Sequence, residues 1–294
     1  MTPRRLSLPA LAVLFVGACM TLGHDFWLEP SSHRVAPGDR VDVAIMIGHH
    51  DDLDSFPRRP GHAKSFRLVG PSGHHEIAGE DGDDPAGSLT APEDGAYWIV
   101  YHGNPSFIEL DAKKFEEYLK HEGLGHIIEE RARLGESDEP GLEAYSRCAK
   151  AAIRVGASST PAHAEFLRTP VGLPLELIPL DDPFTLRAGD DLAVRLLHRG
   201  EPLADAMIEA MHRRDDQQTP RTAWVLTNER GEAMIRFDHP GRWVLANTHM
   251  VRKTVSSATD AESAGGSAAE PTSEADRADW ESHWATLAIE IAPR

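Results

Sequence analysis

The residue with the most distinctive chemistry is His24, which follows a short apolar run near the start of the chain. If a signal peptidase cuts after Gly23, His24 gains a free α-amine beside its imidazole. The two groups titrate near about pH 8 and about pH 6.5, so both can release a proton to a metal ion at neutral pH. A further imidazole would complete a three-nitrogen site, a histidine brace, which favours Cu(II) and then Ni(II). The alternative is that His24 only begins the first strand, which Trp27 and Leu28 anchor.

Several other side chains could complete or replace this site. His249 lies just past a predicted strand, and His283 stands between two tryptophans. Asp25 could bind through oxygen or accept a hydrogen bond from an imidazole. His49 and His50 precede two aspartates, but neighbouring residues on an extended chain point to opposite faces, so this pair suits capture of a metal by a loop. Each of these residues also has an ordinary interpretation as a capping, core or solvated side chain.

The chain contains 16 histidines, a large number of the commonest metal ligand at neutral pH. Number alone does not define a site. Histidines in turns or polar stretches are predicted to be solvated surface residues: His33, His62, His121, His126, His163, His198, His212 and His239.

Sequence signatures of common enzyme classes are missing. The chain has no G-x-S-x-G, H-E-x-x-H, P-loop or G-x-G-x-x-G pattern, and no pair of carboxylates stands out as an acid–base couple. The sequence therefore predicts a protein without catalytic activity. Copper-dependent oxidation at a histidine brace stays open as an alternative.

The N-terminus resembles a cleaved secretory signal over residues 1–23. Arg4 and Arg5 precede an apolar run that is too short for a permanent membrane span. Cleavage before His24 would give a secreted or periplasmic protein, whereas a lipobox ending at Cys19 would give a lipid-anchored one. In either case Cys148 has no intramolecular disulfide partner, and we expect it to be a small buried hydrophobe.

Charge and hydropathy limit the partners of the mature chain. The formal net charge is −17, and loss of two arginines with the signal makes it −17 − 2 = −19. So acidic a surface argues against nucleic acid, which needs a basic footprint. No second long apolar stretch follows, so we expect no integral membrane segment after the signal is removed.

Short apolar segments separated by Gly, Pro and Asp turns predict a mainly β fold. Their spacing favours antiparallel sandwiches over a parallel sheet. We expect two antiparallel β-sandwich-like domains with a helical insertion between them, split near residue 165. The predicted parts are a signal at 1–23, an N-terminal β domain at 24–110, a helical insertion at 111–165, and a C-terminal sandwich at 166–294.

The insertion is predicted from a change of period after Asp111. Apolar residues recur at helical spacing to about Arg133, and a second helical segment is expected from about Gly141 to Ala152. In the C-terminal part, 233–237 and 242–246 are predicted to form a hairpin. A loop at about 251–278 is predicted to be disordered, because it lacks large apolar residues. Trp280 to Ile291 should then return as a last strand of the same sheet.

Two resemblances are carried by specific motifs. The segments Gly200–Ala206, Thr227–Phe237 and Pro240–Leu245 resemble the transthyretin-like or carboxypeptidase-regulatory-like β-sandwich, which implies a fold but no function. The whole mature chain resembles an exported family of unknown function, often labelled the periplasmic component of cobalt or nickel ABC-type uptake systems. That resemblance rests on His24–Pro30, Asn104–Phe107, and shorter runs that include Thr248-His249-Met250 and Trp280-Glu281-Ser282-His283-Trp284.

The resemblance implies metal transport and a membrane metal transporter as partner. Together with the histidines, it predicts an envelope binding protein for a divalent transition metal, nickel, cobalt or copper, acting in uptake or delivery. The metal ion would be bound by His24 and His249, with Asp25, His283, His49 and His50 as further candidates. One alternative is a structural or adhesion-type sandwich that binds no metal. The other is a copper oxidoreductase.

Overall fold

The computed structural model describes residues 25–49, 52–158, 160–213, 221–253 and 274–294. The fold contains three β-sheets. The bounds of its strands and helices follow in chain order. The strands are β1 (Asp25–Pro30), β2 (Arg34–Val35), β3 (Arg40–His49), β4 (Asp52–Ser55), β5 (Ala63–Gly70), β6 (Gly73–Glu76), β7 (Gly87–Thr90), β8 (Gly95–Gly103), β9 (Ser106–Leu110), β10 (Gly141–Val155), β11 (Leu175–Pro179), β12 (Asp190–His198), β13 (Glu201–Pro202), β14 (Met207–Arg213), β15 (Arg221–Leu226), β16 (Glu232–Phe237), β17 (Gly241–Arg252) and β18 (Trp280–Ile291). The α-helices are α1 (Ala112–His121), α2 (Gly125–Leu134) and α3 (Pro161–Leu167).

A ten-stranded central sheet runs through the molecule, and a four-stranded sheet covers each of its faces. Strands β1, β3, β4 and β7 form the first outer sheet, and β11, β12, β13 and β16 form the second. The central sheet takes strands from both sides of residue 165, with β10 and β18 paired in parallel at its middle. The predicted mainly β, sandwich-like fold is confirmed.

Two apolar cores lie on opposite faces of the central sheet. The first core joins β1 and β3 to residues such as Ala149, Val244 and Ala288. The second core joins β11, β12 and β16 to residues such as Leu245 and Leu287. Because side chains alternate along a strand and both faces are covered, β10, β17 and β18 are buried at most positions, and this explains their apolar segments and their buried polar residues.

The helical insertion is shorter than predicted. The single helix predicted from Asp111 to about Arg133 is two helices, α1 and α2, with a break at Gly123, whose φ is 71°. The Asp111 side chain accepts a hydrogen bond from the Lys114 amide at the start of α1. The predicted second helical segment at 141–152 is wrong, because these residues belong to the 15-residue strand β10. Ladders to β18 on one side and to β8 and β9 on the other satisfy its backbone, and this tertiary pairing overrides the local helical period.

The C-terminal part also differs in one connection. Strands β16 and β17 do not pair as a hairpin, since β16 pairs with β12 and β17 pairs with β14 and β18. The turn between them crosses from one sheet to the other. The last strand, β18, returns beside β17 as predicted. Most of the loop predicted to be disordered lies outside the described residues.

A buried ion pair joins the central sheet to the second outer sheet. The Lys150 ammonium on β10 lies 2.7 Å from the Glu176 carboxylate on β11, and both side chains are almost fully buried. Backbone amides of Val171, Gly172 and Leu173 also donate to Glu176, and the Trp98 ring lies under the ammonium. Each of the two buried charges therefore has the other as its partner, together with the backbone amides or the aromatic ring beside it.

We expect Lys150→Met to lower the free energy of unfolding by about 3–5 kcal/mol, because it leaves the Glu176 carboxylate buried without its cation. Urea denaturation measures this loss. The double variant Lys150→Met, Glu176→Gln should recover most of it, since no charge then stays buried. A single variant within about 1 kcal/mol of the parent would contradict this interpretation.

Candidate functional site

Two histidines lie side by side at one end of the central sheet. His249 on β17 is paired in register with His283 on β18. On its strand, each histidine is four residues from a member of the second core: His249 from Leu245, and His283 from Leu287. Residues an even number apart on a strand share one face, so both side chains lie on the face that the second outer sheet covers. His283 is 7% exposed and His249 is half-buried.

A third imidazole reaches this point from the opposite sheet. His198 is the last residue of β12 and lies on the same face of that strand as Leu196 of the second core. Its ring centroid lies 4.5 Å from that of His249 and 5.7 Å from that of His283. The exposed His126 of α2 stacks near His249, with ring centroids 6.1 Å apart. We call His126, His198, His249 and His283 the histidine cluster.

Hydrogen bonds engage two of the cluster's ring nitrogens, and a third is buried without a partner among the described residues. The Ser146 hydroxyl on β10 lies 2.8 Å from Nδ1 of His283. Nε2 of His126 lies 3.3 Å from the Met250 carbonyl oxygen. Nε2 of His198 is buried and has no hydrogen-bond partner among the described residues. A buried nitrogen without a partner is a group that a bound ion would satisfy.

Burial lowers the pKa values of His198, His249 and His283 and so favours their neutral forms. Desolvation, followed by the neighbouring histidines, lowers the pKa of His249 to about 3. Desolvation likewise lowers the pKa of His283 to about 4, against an opposing effect of Glu281. The pKa of His198 is also lowered, first by burial and then by Arg199. Neutral imidazole is the form that binds metals, so these rings have no proton to release first.

An ion pair and an open cleft border the cluster. Arg199 donates a hydrogen bond to Glu281 at 2.8 Å, and the other oxygen of Glu281 lies 3.5 Å from Nε2 of His283. The cleft has a volume of about 450 Å³, and His283 and Glu281 form one wall. Its other walls include Leu173 and Leu197. Solvent therefore reaches the cluster from this side.

The distances between the rings fit the binding of one shared ion, but the present orientations of the rings do not. With metal–nitrogen distances of about 2.0–2.1 Å, imidazoles on one ion have centroids about 4.5–6.5 Å apart. The three measured separations fall in this range. In the described part of the chain, however, no group of three or more His, Cys, Asp or Glu side chains is placed to hold a metal ion. Metal binding would require the rings to rotate.

The predicted site residues are placed as follows. His249 and His283 come together in the cluster, although they had been considered as separate partners of His24. His24 and His50 lie outside the described residues, and His49 is described only as the backbone end of β3, paired with Asp52. Asp25 is buried at the start of β1.

Strand β1 packs on the first core, across the central sheet from His249. The structure thus places Asp25 near His121 and not near the cluster. The pair of His24 with His249 stays a prediction.

Sequence reasoning missed two members of the cluster. His198 and His126 had been classed as solvated, and this is wrong for His198, which is half-buried. It is also wrong for His212, which is 8% exposed, and for His33, which is 1% exposed and lies 2.6 Å from the Ala152 carbonyl oxygen. The alternation Leu192, Val194, Leu196 would have placed His198 on the core face. No sequence signal indicated His126 or Ser146.

Comparisons with known proteins identify a family but no activity. The fold is mainly β and sandwich-like. Residues 21–251 match the family described as a domain of unknown function, DUF4198, and the chain belongs to that family. No curated protein matches.

One solved structure that resembles this chain is the "tetra-tandem repeat in extending region of large adhesion protein". It is 8% identical, with 80% of this chain and 53% of that chain covered and a TM-score of 0.21. This chain thus spans about half the length of that structure, and so low a score supports no conclusion about it.

No helix among the described residues is both long enough and apolar enough to cross a membrane.

We expect the ring protons of His249 and His283 to keep their neutral NMR shifts down to about pH 5, while an unfolded histidine titrates near about pH 6.5. The folded pKa values, about 3 and about 4, lie below the unfolded value. The unfolded chain therefore binds protons first, and the free energy of unfolding falls as the pH drops from about 6.5 towards 4. Titration of either ring near about pH 6.5 would contradict this result.

Proposed function

We propose that this protein binds a transition-metal ion through the histidine cluster and serves metal uptake or delivery in the bacterial envelope. The observation that carries the proposal is the convergence of three imidazoles from three strands in two sheets, with neighbouring ring centroids 4.5 Å and 5.7 Å apart. Nickel, cobalt and copper all accept imidazole nitrogen. The chelating amine of His24 is not required for this site.

The chemistry of the ligand set supports the proposal. The lowered pKa values of His198, His249 and His283 keep all three rings in the form that binds a metal. Ser146, hydrogen-bonded at Nδ1 of His283, can fix the ring so that Nε2 is the coordinating atom. His126 is exposed on α2, where it can meet an incoming ion first.

The rival functions make different demands. An adhesion-type sandwich needs no metal, and it leaves the buried, unpartnered Nε2 of His198 unexplained. A copper oxidoreductase built on a histidine brace needs the free amine of His24. A membrane metal transporter is the partner that uptake would require, and the cleft beside His283 is the open side through which a bound ion could pass.

We expect His198→Ala and His249→Ala each to weaken metal affinity by a factor of about 100 or more, because each removes a ligand. Ser146→Ala, which only frees the His283 ring, should cost about tenfold. Equilibrium dialysis of the mature protein against Ni(II), Co(II), Cu(II) and Zn(II), with metal quantified by mass spectrometry, measures these affinities.

His74→Ala serves as the matched control, since His74 is exposed on β6 and should leave affinity unchanged. An extra residue before His24 separates this site from a brace and should also have no effect. Binding that survives both cluster variants but is lost with the added residue would move the site to His24. No binding of any metal would favour the adhesion-type function.

A further inference from the structure

Two carboxylates line the cleft beside the histidine cluster, and they differ in how firmly they are held. Glu176 is almost fully buried, pairs with Lys150 and accepts hydrogen bonds from three backbone amides. The side chain of Glu281 is 33% exposed, and its Oε2 accepts a hydrogen bond from the more exposed Arg199. An exposed ion pair contributes little to stability, so Glu281 can exchange this partner for another cation.

The other oxygen of Glu281 faces a ring nitrogen of the cluster. Oε1 is 3.5 Å from Nε2 of His283, which is too long for a good hydrogen bond. Both residues share one face of β18, because residues two apart on a strand point the same way. Two ligand atoms bound at about 2.0–2.1 Å to one tetrahedral ion lie about 3.3–3.4 Å apart. The oxygen and the nitrogen are therefore already spaced like neighbouring ligands of one ion.

The hydrogen bond at the other side of the His283 ring favours the same use of Nε2. Nδ1 lies 2.8 Å from the Ser146 hydroxyl. In the tautomer that binds a metal through Nε2, Nδ1 carries the proton and donates it to Ser146, so Nε2 is an acceptor. The Glu281 oxygen opposite it is an acceptor as well. Two acceptors that face each other at 3.5 Å repel unless a cation lies between them.

A carboxylate also supplies the charge that the imidazoles lack. The three buried rings of the cluster are neutral ligands, so a divalent ion bound by them alone would keep both of its positive charges in a partly buried site. Burial of an uncompensated charge is costly. One carboxylate among the ligands halves the net charge of the site, and it stabilises a divalent ion more than a monovalent one.

We propose that Glu281 is the anionic ligand of the histidine cluster, and that a divalent transition-metal ion displaces Arg199 from it on binding. This inference rests on the proposed function and names the ligand set. Nitrogen atoms of His198, His249 and His283 and one oxygen of Glu281 hold the ion. Binding exchanges one cation for another at the carboxylate, with no covalent or redox change.

Glu281→Gln tests the ligand role, because it keeps the size of the side chain and removes its charge. We expect the affinity of the mature protein for Zn(II) and Co(II) to fall about 100-fold. The affinity for Ag(I), which carries half the charge, should fall only about tenfold. Equilibrium dialysis against each ion measures these affinities. Glu290→Gln is the matched control, since Glu290 lies on the same strand, is similarly exposed and pairs with Arg34, and it should change none of them.

Two further measurements separate a ligand from a side chain that only positions its neighbours. At saturating Co(II), Glu281→Gln should change the visible absorption spectrum of the bound ion, because the number and type of ligands set its bands. Arg199→Gln removes the competing cation, so divalent affinity should stay at the parental value or rise by up to about fivefold. A loss as large as that of Glu281→Gln would show that the carboxylate acts only through Arg199.

The outcomes distinguish this inference from the proposed function. If His198→Ala and His249→Ala weaken binding but Glu281→Gln binds like the parent, the metal site stands and Glu281 is not a ligand. The same conclusion follows if Glu281→Gln keeps the parental Co(II) spectrum, or if it loses Zn(II) and Ag(I) affinity by the same factor. If no ion binds, or if the cluster variants bind like the parent, the metal site itself is wrong and this inference falls with it.

Discussion

The antiparallel pairing of β17 with β18 organises this molecule, because every other layer packs on it or continues it. Both strands are twelve residues long, and β18 lies between β17 and β10 at the middle of the central sheet. The strands that cover their second-core face are shorter, five residues in β11 and nine in β12. His249 and His283 lie at the end of this covering sheet, opposite His198, the last residue of β12.

Buried polar groups hold the layers in register around the histidine cluster. Lys150 and Glu176 join the two sheets below it. On the opposite face, Glu143 accepts hydrogen bonds from Tyr118 and Ser282, which ties β10 to β18 beside His283. Burial raises the pKa of Glu143 to about 7. Both networks satisfy their members internally, so the position of His283 is fixed from two sides.

The sequence indicated the parts of the fold that depend on local pattern. Turn residues and alternation predicted the sandwich-like class, and the apolar run of β18 predicted the returning last strand. Strand β10 was misassigned because burial on both faces erases the alternation that marks a strand. For the site, His249 and His283 were found, but His198 could not be joined to them. Its approach depends on how two sheets stack, and no local pattern encodes that contact.

X-ray absorption at the copper edge of the copper-loaded mature protein tests the central claim, metal binding by the histidine cluster, most directly. It reports the atoms bound to the ion, whichever residues supply them. The account predicts a shell of nitrogen at about 2.0 Å with the outer-shell scattering of two or three imidazole rings. Substitution of His198 should remove one ring from that signal. A spectrum dominated by oxygen or sulfur, or one that the His198 substitution does not change, would contradict the account.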